Sequence, residues 1–292
     1  MTVFLQQLIT GISVGGIYAV IASGYALIYS LLDFSNWAHG EVCMLGAYTA
    51  FYAIALGKLP FPLAALAGVC MAALISYGNE LIAYHRIRKN GSANMFLIIA
   101  AMGLSTTYQN AANLAFGSKF KKFAKLFPVS TIQLGGVFIG VLDLISLAAV
   151  AVVIVILFYI IQRTSFGLNV RAITSNGSTA NLLGIRVDRT VAMVFLLAGA
   201  LAGVAGILYG LKYNVYPTMG NVGLKAFVAS VLGGLGSVPG AIVGAILLGV
   251  IETMVSGYLN SGLRDLISFG LLILILLVKP SGLFGIDVQE KA

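Results

Sequence analysis

The sequence predicts an all-α polytopic integral membrane protein, and its composition is the first observation that supports this fold class. Of the 292 residues, 60% are hydrophobic and 9% are charged, whereas soluble globular domains carry about 25% charged residues. Long apolar stretches such as 144–161 and 266–278, with their apolar flanks, approach the roughly 20 residues that a helix needs to cross the hydrocarbon core. A water-soluble fold is therefore excluded.

Hydropathy divides the chain into a series of long apolar segments and one short segment. The short segment, 223–236, is too brief for a comfortable full span and is predicted to be a tilted, broken or re-entrant helix. We therefore expect about eight or nine transmembrane helices. The first span is expected to be retained, because no basic residue precedes it and the segment shows no obvious small-residue cleavage site. The long segments are 3–30, 38–57, 63–83, 94–116, 137–162, 191–213, 238–258 and 264–279.

The basic residues orient these predicted spans. The formal net charge is +8, from 17 Lys and Arg against 9 Asp and Glu. In a membrane protein this excess indicates contact with anionic lipid rather than with nucleic acid. By the positive-inside rule, the run 85–89 and the segment 163–189 are both expected on the cytoplasmic side. The lysine-rich loop 119–125 must then face outward, against that rule.

Glycine is abundant in the predicted spans, and its spacing carries information. Glycine accounts for 35 of the 292 residues, about 12% against an average near 7%. Gly199 and Gly203 are four residues apart, as are Gly236, Gly240 and Gly244. Small residues at this spacing share one face of a helix and let two backbones approach closely in lipid. We expect tight helix packing at these faces, with sliding surfaces for a conformational change as the alternative.

The sequence lacks the motifs of common enzymes. It contains no Gly-x-x-x-x-Gly-Lys-Ser/Thr phosphate loop, so the chain is not expected to bind or hydrolyse ATP. It has no zinc-ligand spacing, and its two histidines are His39 and His85. Cys43 and Cys70 lie in apolar segments, where we expect them to pack. We therefore predict no catalytic residue, no metal site and no cofactor on this chain.

A dense polar stretch, 33–41, separates the first two apolar segments. Asn36 can cap the second helix, and Glu41 then lies near its first turn, where the positive end of the helix dipole favours a carboxylate. This interpretation explains the charges without any substrate. The alternative is that Asn36, His39 and Glu41, with Lys225 of the short segment, line or gate a translocation pathway, because ionisable residues in spans usually face a cavity or a partner.

Three further carboxylates fall within or beside the predicted spans. Glu80 and Asp143 lie near span ends, where snorkelling or local pairing at the interface accounts for them. Glu252 is expected to be a packing residue or a span-end residue. None of the three is therefore assigned to a pathway from the sequence.

The segment 165–184 is predicted to form two short helices around a polar turn. Ser165 and Ser178 are expected to cap these helices, and Gly184 to end the second. A short helix with exposed apolar residues beside Arg171 suits docking into a groove of another protein. A lipid-surface helix or a plain loop is the alternative. The apolar face consists of Leu182, Leu183 and Ile185.

Four blocks of the sequence resemble one family of membrane proteins. Residues 36–41 read Asn-Trp-Ala-His-Gly-Glu, which resembles the Asn-x-Ala-His-Gly-Glu signature of permeases from prokaryotic branched-chain amino acid ABC importers. Blocks 225–241 and 280–285 resemble further patterns of that family. Segment 167–185 is similar to its cytoplasmic ATPase-docking loop. The positions that carry this last resemblance are Arg171, Ala172, Ala180, Gly184 and Ile185, with Leu183 on the docking face.

The resemblance implies a function and a set of partners. It implies one permease domain over 1–292, with a docking loop at 163–190, in a prokaryotic inner (plasma) membrane. The expected partners are a second homologous permease, two cytoplasmic ATPases that bind ATP and Mg, and a periplasmic or lipid-anchored substrate-binding protein. Branched-chain amino acids are the expected cargo, and relatives carry urea or amides. A stand-alone secondary transporter or channel is the alternative function, followed by a structural subunit and a membrane-embedded enzyme.

Overall fold

The computed structural model describes residues 2–124, 131–134 and 137–284. Within these residues the chain is almost entirely helical, as the sequence predicts. A π-helical segment and two 3₁₀ turns interrupt the α-helices. The α-helices are α1 (Thr2–Leu32), α2 (His39–Ala55), α3 (Phe61–Asn79), α4 (His85–Lys89), α5 (Asn94–Phe116), α6 (Val141–Arg163), α7 (Ser165–Ser175), α8 (Gly177–Leu182), α9 (Val187–Lys212), α10 (Val222–Gly233), α11 (Val238–Tyr258) and α12 (Arg264–Val278).

Six helices in the described residues are long and apolar enough to cross a membrane. Three segments among the nine predicted from hydropathy fall outside this group. Helix α2 has 17 residues and α10 has 12, so both are shorter than a full span of roughly 20 residues. Helix α5 is long enough, with 23 residues, but its second half is polar. These three helices converge on the site described below.

Helix α1 forms the centre of the bundle. Its residues from Gly11 to Ile28 are nearly all buried, and it packs against α6, α9, α10 and α11. A helix surrounded by other helices is expected to be apolar on all sides, and the sequence of α1 fits this expectation. Its closest neighbour is α11, because a Cβ added at Gly15 would lie 2.7 Å from the Cα of Ile246.

Helix α9 packs against α3 through the predicted small-residue face. A Cβ at Gly199 would lie 2.5 Å from the Cβ of Ser76, and one at Gly203 would lie 2.9 Å from the Cα of Val69. Real Cβ atoms do not approach other atoms so closely. The two helices therefore touch at backbone distance, the geometry that small residues at four-residue spacing favour in lipid.

Helices α10 and α11 form a tight pair through a second group of small residues. A Cβ at Gly240 would lie 2.3 Å from the carbonyl oxygen of Gly233, and one at Gly244 would lie 2.3 Å from that of Ala229. The prediction that Gly236 shares this helical face is wrong. Gly236 lies before α11, in a turn with φ +81°, a backbone conformation that glycine adopts without a steric penalty.

Helix α10 has 12 residues and is therefore a half-helix, too short to cross the membrane alone. Its C-terminal carbonyl groups accept hydrogen bonds from residues that follow α12. The backbone amides of Leu283 and Phe284 donate to the carbonyl groups of Leu232 and Gly233, at 2.9 Å each. These carbonyl groups have no partner within their own helix. The block 280–285 thus includes the cap of α10, although Gly285 lies outside the described residues.

The connection between α5 and α6 contains a β-hairpin. Strands β1 (Thr131–Leu134) and β2 (Val137–Gly140) pair antiparallel, with Ile132 opposite Ile139. The predicted helix start at 137 is therefore wrong by four residues, because 137–140 form β2 and α6 begins at Val141. Lys125 of the lysine-rich loop lies outside the described residues.

Glu80 and Asp143, the two carboxylates predicted near span ends, have cationic partners. Glu80 begins the π-helical segment Glu80–Tyr84, which joins α3 to α4, and it accepts a hydrogen bond from Arg88 at 2.5 Å. Asp143, at the start of α6, pairs with Lys212 at the end of α9. Each is the local pairing that the sequence predicts near a span end.

Candidate functional site

The polar stretch between α1 and α2 turns sharply after α1, and its last residues are buried where α2 begins. Asp33 has φ +48°, a left-handed turn that Asp and Asn tolerate better than most residues. The chain then runs to Gly40, where a Cβ would lie 2.0 Å from the carbonyl oxygen of Gly220. Gly220 belongs to the 3₁₀ turn Pro217–Asn221 that leads directly into α10. The N-termini of two short helices, α2 and α10, therefore meet.

Asn36 does not cap α2 with its side chain, so the predicted capping role is wrong. The N-cap of α2 is Ala38, and no side chain accepts a hydrogen bond there. The Asn36 Oδ1 instead accepts a hydrogen bond from the Tyr84 hydroxyl at 2.9 Å. Asn36 thus joins the polar stretch to the π-helical segment. The polar stretch alone could not indicate this contact, because Tyr84 is 48 residues away in sequence.

His39 is buried on the first turn of α2. Its Nε2 lies 3.3 Å from the carbonyl oxygen of Ile21, and since a carbonyl group can only accept, Nε2 carries the proton in this contact. Its Nδ1 is buried without a partner among the described residues. The ring fits because residue 24 is a glycine. A Cβ at that position would lie only 3.0 Å from Nε2. His39 therefore fixes the start of α2 against α1.

Glu41 lies at the junction of three elements. Its side chain is 3% exposed, and Oε1 accepts a hydrogen bond from Ser105 of α5 at 3.3 Å. Oε2 is buried without a partner in the described part of the chain, and it would lie 2.2 Å from a Cβ at Gly220. The positive ends of α2 and α10 compensate part of its charge. A carboxylate held this way inside a membrane protein is a functional-site candidate.

Lys225 does not join the cluster around Glu41. It lies one turn into α10, and its Nζ contacts Glu252 and Asp265 at 2.6 Å each. Ser268 lies 3.3 Å from the same Nζ, and Tyr18 donates to Glu252 at 3.1 Å. This second cluster ties α10 to α1, α11 and α12. Glu252 is thus a buried ion-pair partner, which extends the packing role that the sequence predicts for it.

A polar stripe on α5 lies beside Ser105, and the sequence analysis missed it. Thr106, Thr107 and Asn110 are exposed, and with Met102 they line a shallow groove along the helix. Each of the three donates a hydrogen bond to a carbonyl group four residues earlier. The available signal was the low hydropathy of α5 in its second half.

The segment between α6 and α9 forms the two predicted helices, α7 and α8, but with different caps. Thr164, rather than Ser165, accepts from the amide of Gly167 at 3.2 Å. Asn176, rather than Ser178, accepts from the amide of Thr179 at 2.9 Å. The predicted caps are wrong by one and two residues, because the chain leaves the extended conformation at Thr164 and Asn176.

The docking residues predicted in this segment do not all face outward. Leu182 is 87% exposed and Leu183 is 77% exposed, whereas Ala180 is 2% exposed. The Arg171 guanidinium is exposed and donates to the carbonyl oxygen of Ile161 at the end of α6. The exposed apolar pair Leu182 and Leu183, at the C-terminal end of α8, is therefore the strongest docking feature. Of the remaining positions, Ala172 and Ile185 are half-buried, and Gly184 is exposed with φ +85°.

Known proteins resemble this chain along nearly its whole length. Residues 7–276 match the family described as "Branched-chain amino acid transport system / permease component". The chain belongs to this family. It is 38% identical to the high-affinity branched-chain amino acid transport system permease protein BraD of Pseudomonas aeruginosa, over 99% of this chain and 98% of the relative. It is 35% identical to LivH of Escherichia coli, over 99% and 97%.

A probable branched-chain amino acid transport permease protein of Methanocaldococcus jannaschii is 29% identical over 93% of this chain and 89% of the relative. Membership and the apolar helices together make the chain a multi-pass permease subunit of the prokaryotic inner membrane.

Proposed function

We propose that this protein is the permease subunit of an ATP-driven importer that carries branched-chain amino acids across the inner membrane. The family and the printed names of its relatives support the substrate class. The observation that carries the transport role is the buried carboxylate of Glu41, held between α2, α5 and the turn before α10. The whole chain, 1–292, is one permease domain in this proposal.

The polar stripe of α5 forms one wall of the translocation pathway. Exposed Thr106, Thr107 and Asn110 would gain little from contact with lipid, whereas a water-lined gap between two permease subunits would hydrate them. The second wall comes from a homologous permease. Ser105 joins this stripe to Glu41, so the buried carboxylate lies directly behind the pathway surface.

Glu41 acts as the gate residue, and Asn36 and His39 hold it in place. In the described conformation the Gly40 and Gly220 backbones are in contact and Glu41 is covered. A shift of α10 relative to α2 would uncover the carboxylate, whose charge favours hydration or the ammonium group of a passing amino acid. Half-helices that meet inside a membrane form substrate sites in many transporters. Lys225 positions α10 rather than lining the pathway.

Energy enters from the cytoplasmic side through 163–190. The sequence has no phosphate loop, so separate ATPase subunits bind ATP and Mg, and this chain has neither catalytic activity nor a cofactor of its own. Exposed Leu182 and Leu183 fit an apolar groove on such a subunit. A periplasmic or lipid-anchored binding protein delivers the amino acid to the opposite face.

Reconstitution tests this function against a stand-alone transporter. The chain is co-purified with its native permease, ATPase and binding-protein partners and placed in proteoliposomes with ATP inside. We expect uptake of radiolabelled leucine, isoleucine or valine that requires both ATP and the binding protein. Equal uptake by this chain alone, without ATPase subunits, would support the channel or secondary-transporter alternative.

A further inference from the structure

Three lysines follow α5, in the loop that is expected to face outward. The positive-inside rule disfavours basic residues on that side. Lys119 and Lys122 are exposed and Lys121 is half-buried, and none of them forms an ion pair with another described residue. Basic residues outside the membrane oppose the preferred orientation of the neighbouring spans. Their presence therefore calls for a role that offsets this cost.

The backbone that carries these lysines is fixed to the body of the protein. The amide and the carbonyl group of Lys121 both form hydrogen bonds with Val215, each at 2.8 Å. The Phe120 ring packs on Tyr216 with the centroids 4.9 Å apart. Phe123 is 7% exposed. The backbone positions of the lysines are therefore fixed before any partner arrives, which reduces the backbone entropy lost on binding.

The same anchor places the lysines at one end of α9. Val215 follows the C-terminal end of α9, whereas Asp188, in the first turn of α9, lies 3.3 Å from Arg88 of the basic run 85–89. Helix α9 has 26 residues and is about 39 Å long. The anchored lysines thus lie at the opposite end of the bundle from the basic run and from α8.

We propose that Lys119, Lys121 and Lys122 form a basic platform that docks an acidic surface of the substrate-binding protein. This inference rests on the proposed function, because it needs an extracytoplasmic partner. A folded acidic surface is favoured over lipid headgroups, because headgroups rearrange around any cation and gain little from a backbone that is anchored in one place. Complementary charge steers a partner toward the platform and sets the orientation in which it arrives.

Charge reversal in the assembled importer tests the platform. The complex is held in nanodiscs of zwitterionic lipid, and association of the binding protein is followed at low and high salt. The variant K119E/K122E is expected to reduce the association rate constant about tenfold or more at low salt, with most of the difference lost near 0.5 M salt. Both positions are exposed, so folding is not expected to change.

Two matched variants serve as controls. K119R/K122R keeps the charge and should retain the wild-type rate, whereas Lys89→Glu reverses an exposed lysine at the other end of the bundle and should have no effect on association. Equal rates for K119E/K122E and wild type would overturn the platform. A loss seen only in nanodiscs with anionic lipid would also overturn it, by assigning the lysines to headgroups. Failure of the wild-type complex to bind the protein or import amino acids would instead contradict the proposed function.

Discussion

Gly40 and Gly220 are in backbone contact: a Cβ added to Gly40 would lie 2.0 Å from the Gly220 carbonyl oxygen. The first residue belongs to α2 and the second to the turn before α10, and 180 positions separate them in the chain. This contact places the N-termini of the two short helices together and covers Glu41. The closed state of the proposed gate depends on the absence of side chains at both positions.

Gly40→Ala is expected to force α2 and the turn before α10 apart. Overpacking of this kind costs about 1–3 kcal/mol, so the melting temperature of the purified complex should fall and ATP-driven uptake should be lost. The control is Gly78→Ala in α3, where an added Cβ meets nothing within 4 Å and alanine favours the helix. Similar melting temperatures for the two variants would contradict the close contact.

Glu41→Gln removes the charge at nearly constant size and keeps an acceptor for Ser105. Because Oε2 has no partner among the described residues, the amide should leave stability unchanged or raise it by about 1 kcal/mol. Uptake should nevertheless fall at least tenfold, since the gate loses its charge. Thermal unfolding and leucine uptake measure the two effects. Normal uptake in a normally assembled complex would return Glu41 to a purely structural role at the helix terminus.

Lys225→Met should destabilise the complex because it leaves Glu252 buried without its cation. Breaking one side of a buried ion pair costs about 3–5 kcal/mol. The double variant K225M/E252Q removes both charges and should recover a large part of that loss. Thermal unfolding of Lys225→Met, Glu252→Gln and the double variant measures the coupling. Additive effects would show that the Lys225–Glu252 contact of 2.6 Å contributes no interaction energy.

Leu183→Asp places a carboxylate on the exposed apolar pair of α8. It should reduce ATPase association and substrate-stimulated ATP hydrolysis severalfold, while membrane insertion and binding-protein association stay normal. Asn181→Asp adds the same charge to an exposed neighbour without removing the apolar contact, and it should have a smaller effect. Equal ATPase association for both variants and wild type would contradict docking through α8. Arg171→Glu is a less selective test, because Arg171 also binds the end of α6.

The helices were largely predictable from the sequence, because hydropathy identifies the segments that are apolar enough to lie in the membrane. The predicted short segment 223–236 corresponds to α10, Val222–Gly233, and the polar interruption before α2 is also present. Interactions between distant segments were not predictable. The partners of Asn36 and Lys225 come from other helices, and spacing along one segment carries no information about them.

Two further errors have local causes. Gly236 shares the four-residue spacing of Gly240 and Gly244, but periodicity does not indicate where a helix begins, and α11 starts only at Val238. The polar stripe of α5 was missed because the hydropathy of the polar second half of this helix was averaged with that of its apolar first half. A shorter window would have separated Thr106, Thr107 and Asn110 from the apolar residues before them.

The hydrogen bonds from Leu283 and Phe284 to Leu232 and Gly233 also set the order of events during synthesis. A ribosome delivers the chain from its N-terminus, so α10 reaches the membrane before the residues that satisfy its last carbonyl groups. Until Leu283 and Phe284 have been translated, α10 retains unpaired polar backbone, which is costly in lipid. Helix α1 can assemble with α6, α9 and α11 earlier, whereas α10, beside Glu41, is capped only when Leu283 and Phe284 arrive. Ribosomes that stop before these residues would therefore release a bundle that is inserted but not closed.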